Sequence, residues 1–354
     1  MIRIYDLNVS LKGEIDDYES LTFTRKYYTF GEFEIEINAD KNNTAELQKN
    51  RIIQVDKDPR KIGIIKVIDR ESEDVDVIKV LGYTLDFLFR DRIILPVGSS
   101  AYDSITGPGE TVIKHYIANC ITSPIDPDRV MAFFNLIADG AAGSTGEYNS
   151  RYDNLSTKIG EIRKRKEMGV EVTLNLTTKK FEIDTYEGED HTSGTANPVI
   201  FSTDYDNLIE QKYYISDVDE KTFAYVGGEG EGASRLLDTA GTGTGINRKE
   251  MFVDTYLPLS SLEEAGETEL SQNREIETFE GQTINRKPFI YEQDFDLGDV
   301  VTVTNKKWGV TLNTRITAIT EVYEPDGFEL IAEYGNNIPL LKDIIDKKTK
   351  REVD

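Results

Sequence analysis

The chain has 354 residues, which is long enough for two or three domains with cores of their own. Its formal net charge of −24 speaks against ordinary nucleic-acid binding, and its single cysteine, Cys120, excludes an intrachain disulfide or thiolate metal cluster. The sequence has neither a membrane-length apolar run nor a signal-peptide pattern, so we expect a protein that is made and folded in a cytosol.

The first 97 residues predict a β-rich domain. Residues 22–24 and 32–37 alternate apolar and polar side chains, as a half-buried strand does. Residues 50–83 then predict a short strand at 52–55, a long strand at 63–72 and a return strand that ends in Gly-Tyr. A short helix over residues 84–92, with Thr84 as its N-cap, follows this unit.

Residues 98–195 predict an inserted α+β module. The Gly-Pro-Gly-Glu sequence at 107–110 opens a helix, with the carboxylate near the positive end of its dipole. Its apolar residues recur at helical spacing and predict one buried stripe that includes the cysteine: Val112, Ile113, Tyr116, Ile117, Cys120 and Ile121. A second helix begins near Asn154, and a hairpin with its turn at 177–180 completes the module.

Residues 196–258 predict short strands separated by glycine, which either complete the first barrel or connect it to the second. Residues 223–226 are one such strand, and residues 237–245 are expected to be a flexible run. Ser260 or Ser261 caps a helix that continues through Leu270. A second β-domain is predicted over 259–340, and the charged tail 341–354 is expected to fray.

Residues 50–83 and 298–335 share one pattern. In both, a short apolar strand, a polar turn and a long strand are followed by a charged turn and a return strand. A duplicated β-unit predicts two similar sheets or barrels and a pseudo-symmetric assembly. The predicted fold is therefore α+β and mainly β, with two related β-barrels or sheets and an inserted α+β module.

The sequence contains no convincing catalytic, cofactor-binding or metal site, so we predict a protein that is not an enzyme and needs no cofactor. His115 and His191 are the only histidines, and neither has a second ligand at metal-binding spacing. The six alternate glycines from Gly228 to Gly245 lack a following Gly-Lys-Ser/Thr and are expected to form turns. Carboxylate pairs such as Asp184 with Glu187, or Asp294 with Asp296, have no feature that favours catalysis.

Charge is unevenly distributed along the chain. Residues 182–299 hold 27 acidic and 8 basic side chains, a net of −19, whereas residues 1–97 hold 19 and 15, a net of −4. The acidic segment is either a solvated face or a surface that DNA passes without binding. The basic run at 158–166 is either a solvated helix face or a contact with an acidic neighbouring subunit.

Several segments together resemble the phage tail-hub family, the Gp37-like proteins of long-tailed phages that are related to contractile-tail baseplate hubs. The resemblance covers residues 1 to about 340 in consistent order: YYTFGEFEIEIN (27–38), LGYTLDFLFRDRIILP (81–96), the helix and hairpin of 155–190, FSTDYDNLIEQ (201–211), AYVGGEGEGASR (224–235), GINRKEMFVD (245–254) and FDLGDVVTV (295–303).

This resemblance implies a homotrimeric ring at the virion tail tip, assembled in the host bacterial cytoplasm. Two barrels per chain give a pseudo-hexameric face that joins the sixfold tail tube to a threefold tip and lets DNA pass without specific binding. The implied partners are distal tail or tube proteins and a spike, fibre or wall-degrading protein, which we expect to be a separate chain.

Two other functions compete with this interpretation. A carbohydrate-binding or carbohydrate-active β protein is supported by 18 tyrosines and many carboxylates, and it predicts tyrosines clustered on one exposed face. A ring resembling a DNA sliding clamp predicts basic helices that line a hole, for which the chain offers only residues 158–166.

Overall fold

The computed structural model describes residues 1–72, 76–98, 100–283 and 288–335. The predicted tail at 341–354 lies outside these residues. Three α-helices occur in the described chain: α1 (Gly109–Ile117), α2 (Leu155–Lys166) and α3 (Leu262–Gln272). Among the described helices, none is long and apolar enough to cross a membrane.

Thirteen strands lie between the N-terminus and the end of the inserted module in the described chain. They are β1 (Ile2–Tyr5), β2 (Leu11–Ile15), β3 (Ser20–Lys26), β4 (Glu32–Asn38), β5 (Ile52–Val55), β6 (Ile62–Ser72), β7 (Asp76–Thr84), β8 (Asp103–Pro108), β9 (Phe134–Leu136), β10 (Thr145–Ser150), β11 (Gly169–Asn175), β12 (Lys180–Tyr186) and β13 (Asp190–His191).

Further strands follow after the module. They are β14 (Ile200–Ser202), β15 (Leu208–Ser216), β16 (Phe223–Gly227), β17 (Leu237–Gly241), β18 (Glu250–Asp254), β19 (Ile276–Thr283), β20 (Val300–Asn305), β21 (Val310–Glu324) and β22 (Gly327–Gly335). The fold is thus α+β and mainly β, as predicted.

One long sheet organises the molecule. Its strands follow the order β15-β19-β22-β21-β3-β4-β7-β6-β5-β1-β2, and β20 joins it by pairing with β21. The sheet, with β20 included, contains the same five-stranded arrangement twice. The first repeat is β3-β4-β7-β6-β5, and the second repeat is β15-β19-β22-β21-β20. The duplication is therefore larger than the three-stranded unit that the sequence pattern indicates.

The two repeats also share an irregularity within their longest hairpins. The β6–β7 register shifts between Ile65 and Val67, and the β21–β22 register shifts between Ile316 and Ala318. A bulge adds one residue to a strand and increases its local twist. The same bulge at the same point of both hairpins indicates that the two sequences bend their sheets in the same way.

The entry to each short strand is equivalent as well. Asn50 (φ 66°) precedes β5, and Gly298 (φ 97°) precedes β20, so both positions use left-handed backbone. The Asn50 amide donates to the Ile65 carbonyl, and the Gly298 amide donates to the Ile316 carbonyl. At Gly298 a Cβ would lie 2.5 Å from the Tyr27 ring, so glycine is required there for space as well.

The predicted barrels are not found as closed structures. In the described chain the pairings form an open path that ends at β15 and β2, and no pairing joins these ends. Strands β13, β14 and β15 pair with β20 and β19 of the second repeat, so the chain from 190 to 216 packs with that repeat. Barrel closure stays a prediction.

The inserted module shares its core with the first repeat. Helices α1 and α2 pack with the β11–β12 hairpin and with a 3₁₀ segment, Leu85–Asp91, which occupies the predicted helix at 84–92. All six residues of the predicted α1 stripe are buried. Asn154 caps α2, because its side-chain oxygen accepts hydrogen bonds from the amides of Ser156 and Thr157. Asparagine is one of the preferred residues at this position.

A smaller lobe consists of α3 and the sheet β17-β16-β18. Its core holds Ala224, Val226 and Leu262. The run at 237–245, predicted to be flexible, begins with strand β17, because Ala240 and its neighbours pair along β16 and pack under α3. The predicted helix after Ser261 begins at Leu262, but the Ser261 hydroxyl donates to Glu147 and does not cap the helix.

Candidate functional site

The two repeats join along one strand pair, which we call the seam. Residues 318–323 of β21 pair antiparallel with residues 26–21 of β3. The Thr24 and Thr320 hydroxyls are hydrogen-bonded across it at 2.9 Å, and the Tyr27 amide extends it by donating to the Thr317 carbonyl. The seam therefore makes one continuous sheet of the two repeats.

Charged side chains are buried beside the seam. Arg25 of β3 donates to Asp296 and to the Tyr291 hydroxyl, both at 2.6 Å. Lys61, in the β5–β6 turn, pairs with Glu321 of β21 at 2.8 Å. Lys61 is 5% exposed and Glu321 is 1% exposed, so each has lost nearly all its water and needs a partner of opposite charge. Lys61 also pairs with Glu292 at 3.1 Å.

Two tyrosines and a second arginine complete this network. The Tyr291 hydroxyl donates to Glu321 at 2.8 Å, and the Tyr323 hydroxyl contacts the same carboxylate. Arg60 contacts Asp296 and also pairs with Glu292 at 2.9 Å. The network consequently links the first repeat to the segment 291–296 and to the second repeat.

The ionisation of these groups follows their surroundings. Burial opposes the charge on Arg25, but Tyr291 and Asp296 raise the pKa of Arg25 well above its usual value. Burial likewise opposes the Asp296 carboxylate, yet Arg25 and Arg60 lower the pKa of Asp296 below its usual value. The Arg25–Asp296 pair is therefore ionised in the folded chain at neutral pH.

A surface cleft of about 820 Å³ lies over the network. Arg25, Arg60, Glu171 and Asp296 contribute to its polar lining. Arg25 forms ion pairs with Glu171 and Asp296, and Arg60 forms ion pairs with Asp58 and Asp296. The arginines that line the cleft are therefore already paired with carboxylates of the same chain. The arrangement is suited to holding three segments of the chain together.

Each repeat has one strand edge that lacks a strand partner in the part of the chain that the structure describes. β6 pairs with β5 only through residues 62–64, while β7 covers its other edge along its whole length. In the part of the chain that the structure describes, no strand pairs with residues 67–72 of β6 on the β5 side. The edge of β15 opposite β19 likewise has no strand partner there.

The histidines and glycines considered in the sequence analysis have structural roles in the described chain. His115 contacts the buried Asp103 at 2.6 Å, and His191 contacts the Asn197 carbonyl. No cluster of metal-ligating residues occurs among the described residues. Five of the six predicted turn glycines have positive φ, which confirms that interpretation for them: Gly230, Gly232, Gly241, Gly243 and Gly245.

The candidate carboxylates also act in ion pairs. Asp184 pairs with Lys114 at 2.7 Å, and Asp296 belongs to the seam network. Asp217 and Glu220, whose spacing does not match a calcium loop, both bind Lys249.

The basic run at 158–166 is largely bound within the chain. Arg163 is 2% exposed and donates to the Tyr27 carbonyl and to Asp86. Arg165 reaches Glu264 and Glu267 of α3. Neither interpretation of this run, a solvated face or a contact with a neighbouring subunit, holds for these two arginines. No sequence signal reveals that Arg163 is buried, because its partners lie 136 and 77 residues away along the chain.

The exposed tyrosines belong to several different elements, and other tyrosines are buried in the cores. Tyr152 precedes α2, Tyr214 lies on β15, and Tyr225 lies on β16, whereas Tyr27, Tyr116 and Tyr334 are among the largest fully buried side chains. A carbohydrate-binding surface would place several of them together. This distribution therefore does not favour the carbohydrate interpretation.

Comparison with known proteins identifies relatives along the whole described chain. The family model described as siphovirus ReqiPepy6 Gp37-like protein matches residues 1–336. No curated protein sequence matches the chain.

Three solved structures are similar over nearly their whole length. A tail protein from Neisseria meningitidis has a TM-score of 0.60 at 11% identity, and the match covers 95% of this chain and 96% of that one. Prophage tail protein gp18 from Listeria monocytogenes has 0.57 at 14%, covering 99% and 98%. The 43 kDa tail protein of prophage MuSo2 from Shewanella oneidensis has 0.59 at 11%, covering 94% and 97%. At these identities the similarity shows a common fold.

Proposed function

The chain belongs to the siphovirus Gp37-like family, a family of phage-tail structural proteins, and we propose that it is the hub of the tail tip. In this proposal three copies form a ring at the distal end of the tail. The ring joins the sixfold tail tube to a threefold tip and lets DNA pass.

The observation that carries the proposal is the internal duplication. The two repeats lie side by side in one sheet and have the same strand order. Each has a bulge at the equivalent point of its long hairpin and a residue with left-handed backbone at the equivalent position before its short strand. Three such chains place six equivalent repeats around an axis. A sixfold tube then meets six similar surfaces, while the remainder of each chain follows threefold symmetry.

The parts of the chain have distinct places in this proposal. The regions 1–97 and 259–340 supply the two tube-type domains, and the module at 98–195 lies outside the ring. Residues 196–258 hold β14 and β15, which pair with the second repeat, and the lobe strands β16–β18. The partners are the distal tube proteins on one side and a separate spike, fibre or wall-degrading protein on the other.

The acidic segment gives the channel its surface in this proposal. Residues 182–299 carry a net charge of −19 (27 acidic and 8 basic side chains). A basic channel would bind DNA by counterion release, whereas an acidic wall repels the phosphates and lets the duplex slide. Replacing exposed acids such as Glu229, Glu231 and Glu250 by lysine should slow DNA ejection. Unchanged ejection and infectivity would exclude this role.

Negative-stain images of the purified protein test the hub itself. The expected particle is a ring with a central hole, threefold symmetry and a six-lobed outline. A compact particle without a hole at concentrations where the chain self-associates would contradict the proposal. A fully monomeric sample would call for the same images with the neighbouring tail proteins added, since those proteins would then have to supply the ring.

A further inference from the structure

The seam inside the chain has an unfilled counterpart on its surface. The seam pairs the fourth strand of the second repeat, β21, with the first strand of the first repeat, β3. The fourth strand of the first repeat is β6, and the first strand of the second repeat is β15. We propose that β6 of one chain pairs antiparallel with β15 of a second copy, repeating the seam between chains.

The strand registers fix which residues meet. The β6–β7 and β21–β22 bulges place Val67 and Ala318 at equivalent positions. The aromatic pairs Phe23–Phe33 and Tyr213–Phe279 occupy equivalent places on the first two strands of each repeat. The seam therefore predicts five pairs between chains: Val67 with Ser216, Ile68 with Ile215, Asp69 with Tyr214, Arg70 with Tyr213, and Glu71 with Lys212. The register of β15 shifts between Lys212 and Ile209, so the series ends at Lys212.

The chemistry of the two edges is complementary in this register. Glu71 meets Lys212, an opposite-charge pair, and Ile68 meets Ile215, an apolar pair. Val67 is 47% exposed and Ile215 is 50% exposed. Ala318, the equivalent of Val67 within the seam, is 1% exposed. Burying these apolar groups against a second copy would remove surface that is costly to leave in water.

Both edges, residues 67–72 of β6 and 211–216 of β15, lack a strand partner on these sides among the described residues. Long unpaired edges invite pairing with another chain, so a soluble protein covers or blocks them. A second copy covers both edges at once, because each chain provides one β6 and one β15. Such head-to-tail pairing closes into a ring when the rotation per chain divides a full turn.

This inference rests on the proposed ring and adds its interface. Because the Tyr27 amide donates to the Thr317 carbonyl, hydrogen-bonded pairs alternate along the seam from that pair. Counting along it, Glu71 and Lys212 fall at a non-hydrogen-bonded position, where facing side chains are closest. A cysteine pair there has the Cα separation that a disulfide needs.

Disulfide cross-linking tests the register. The double variant Glu71→Cys/Lys212→Cys should form covalent dimers and trimers on oxidation, seen on non-reducing gels and lost with reductant. The matched control Glu71→Cys/Tyr214→Cys places the second thiol on the same face of β15 but two residues out of register, and it should not give the trimer band. Cys120 does not interfere, since it is buried and burial raises the pKa of its thiol to about 11.

A charge placed on the edge gives an independent readout. Ile215→Lys should abolish self-association, whereas Leu176→Lys, at a similarly exposed apolar residue in the module hairpin turn, should not. Circular dichroism checks that each variant folds. A trimeric wild type in which the two cysteine pairs cross-link equally, or in which Ile215→Lys still assembles, would overturn this interface and leave the ring intact. A wild type that stays monomeric alone and with its tail partners would overturn both.

Discussion

The Lys61–Glu321 ion pair joins the two repeats, and substitutions at it measure how much this contact contributes to the free energy of unfolding. We expect Lys61→Met to lower the free energy of unfolding by about 3 to 5 kcal/mol, because it leaves the Glu321 carboxylate buried without its cation. The two tyrosine hydroxyls at Glu321 remain, and hydrogen bonds to a charged group contribute about 1.5 to 3 kcal/mol each, so the loss should lie near the lower limit.

Removing both charges should cost much less than removing one. In Lys61→Met/Glu321→Gln neither position keeps a buried charge without its partner, and replacing a whole buried pair is often nearly neutral. The surface pair Lys79–Glu36, at 3.7 Å with both side chains about two-fifths exposed, is the matched control. Lys79→Met should change stability by no more than about 1 kcal/mol.

Urea unfolding followed by far-ultraviolet circular dichroism measures these differences. Fluorescence of Trp308, the single tryptophan, reports on the second repeat, where its ring centroid lies 6.1 Å from that of Phe279. If Lys61→Met were no less stable than Lys79→Met, the buried pair would not join the repeats. A double variant as unstable as Lys61→Met would also refute the reasoning.

Three further predictions concern the same region. Because the pKa of Asp296 is lowered in the folded chain, its ionic contribution to stability is present above the unfolded pKa of about 3.9 and is lost as pH falls through the folded value. The unfolding midpoint of Asp296→Asn should therefore fall less than that of the wild type as the pH is lowered from about 4, and parallel curves would contradict this. Gly298→Ala should lower the melting temperature by several degrees, since its φ is 97° and its Cβ would meet Tyr27 at 2.5 Å. Asn50→Gly, at the equivalent left-handed position, should keep or raise the melting temperature, and a loss as large as that of Gly298→Ala would refute the equivalence of the two sites.

Local elements could be predicted from the sequence because their signals are local. The strand Ile52–Val55 has the predicted bounds, and the first module helix begins at Gly109 within the predicted Gly-Pro-Gly-Glu opening. The duplicated pattern identified three strands of each repeat. The pattern did not identify β15 and β19 as members of the second repeat. Residues 217–275, which include the smaller lobe, separate these two strands in the sequence.

Long-range features could not be predicted in the same way. The pairing of β13 and β14 with β20 is parallel and joins residues 190–202 to residues 300–304, so no turn signal marks it. Residues 237–241 are rich in small and polar side chains and form a strand only because β16 and α3 cover them. The seam network joins residues from β3, the β5–β6 turn, 291–296 and β21, and a run of charges in the sequence does not reveal such partners.

The mass of the purified protein in solution, measured by native mass spectrometry over a range of concentrations, tests the central claim most directly. One chain has a mass of 40.0 kDa, so three chains give about 120 kDa. The hub proposal predicts that this trimer gains population with concentration, without dimers or larger open chains accumulating. A chain that remains at 40.0 kDa at every concentration and in the presence of its tail partners would contradict it.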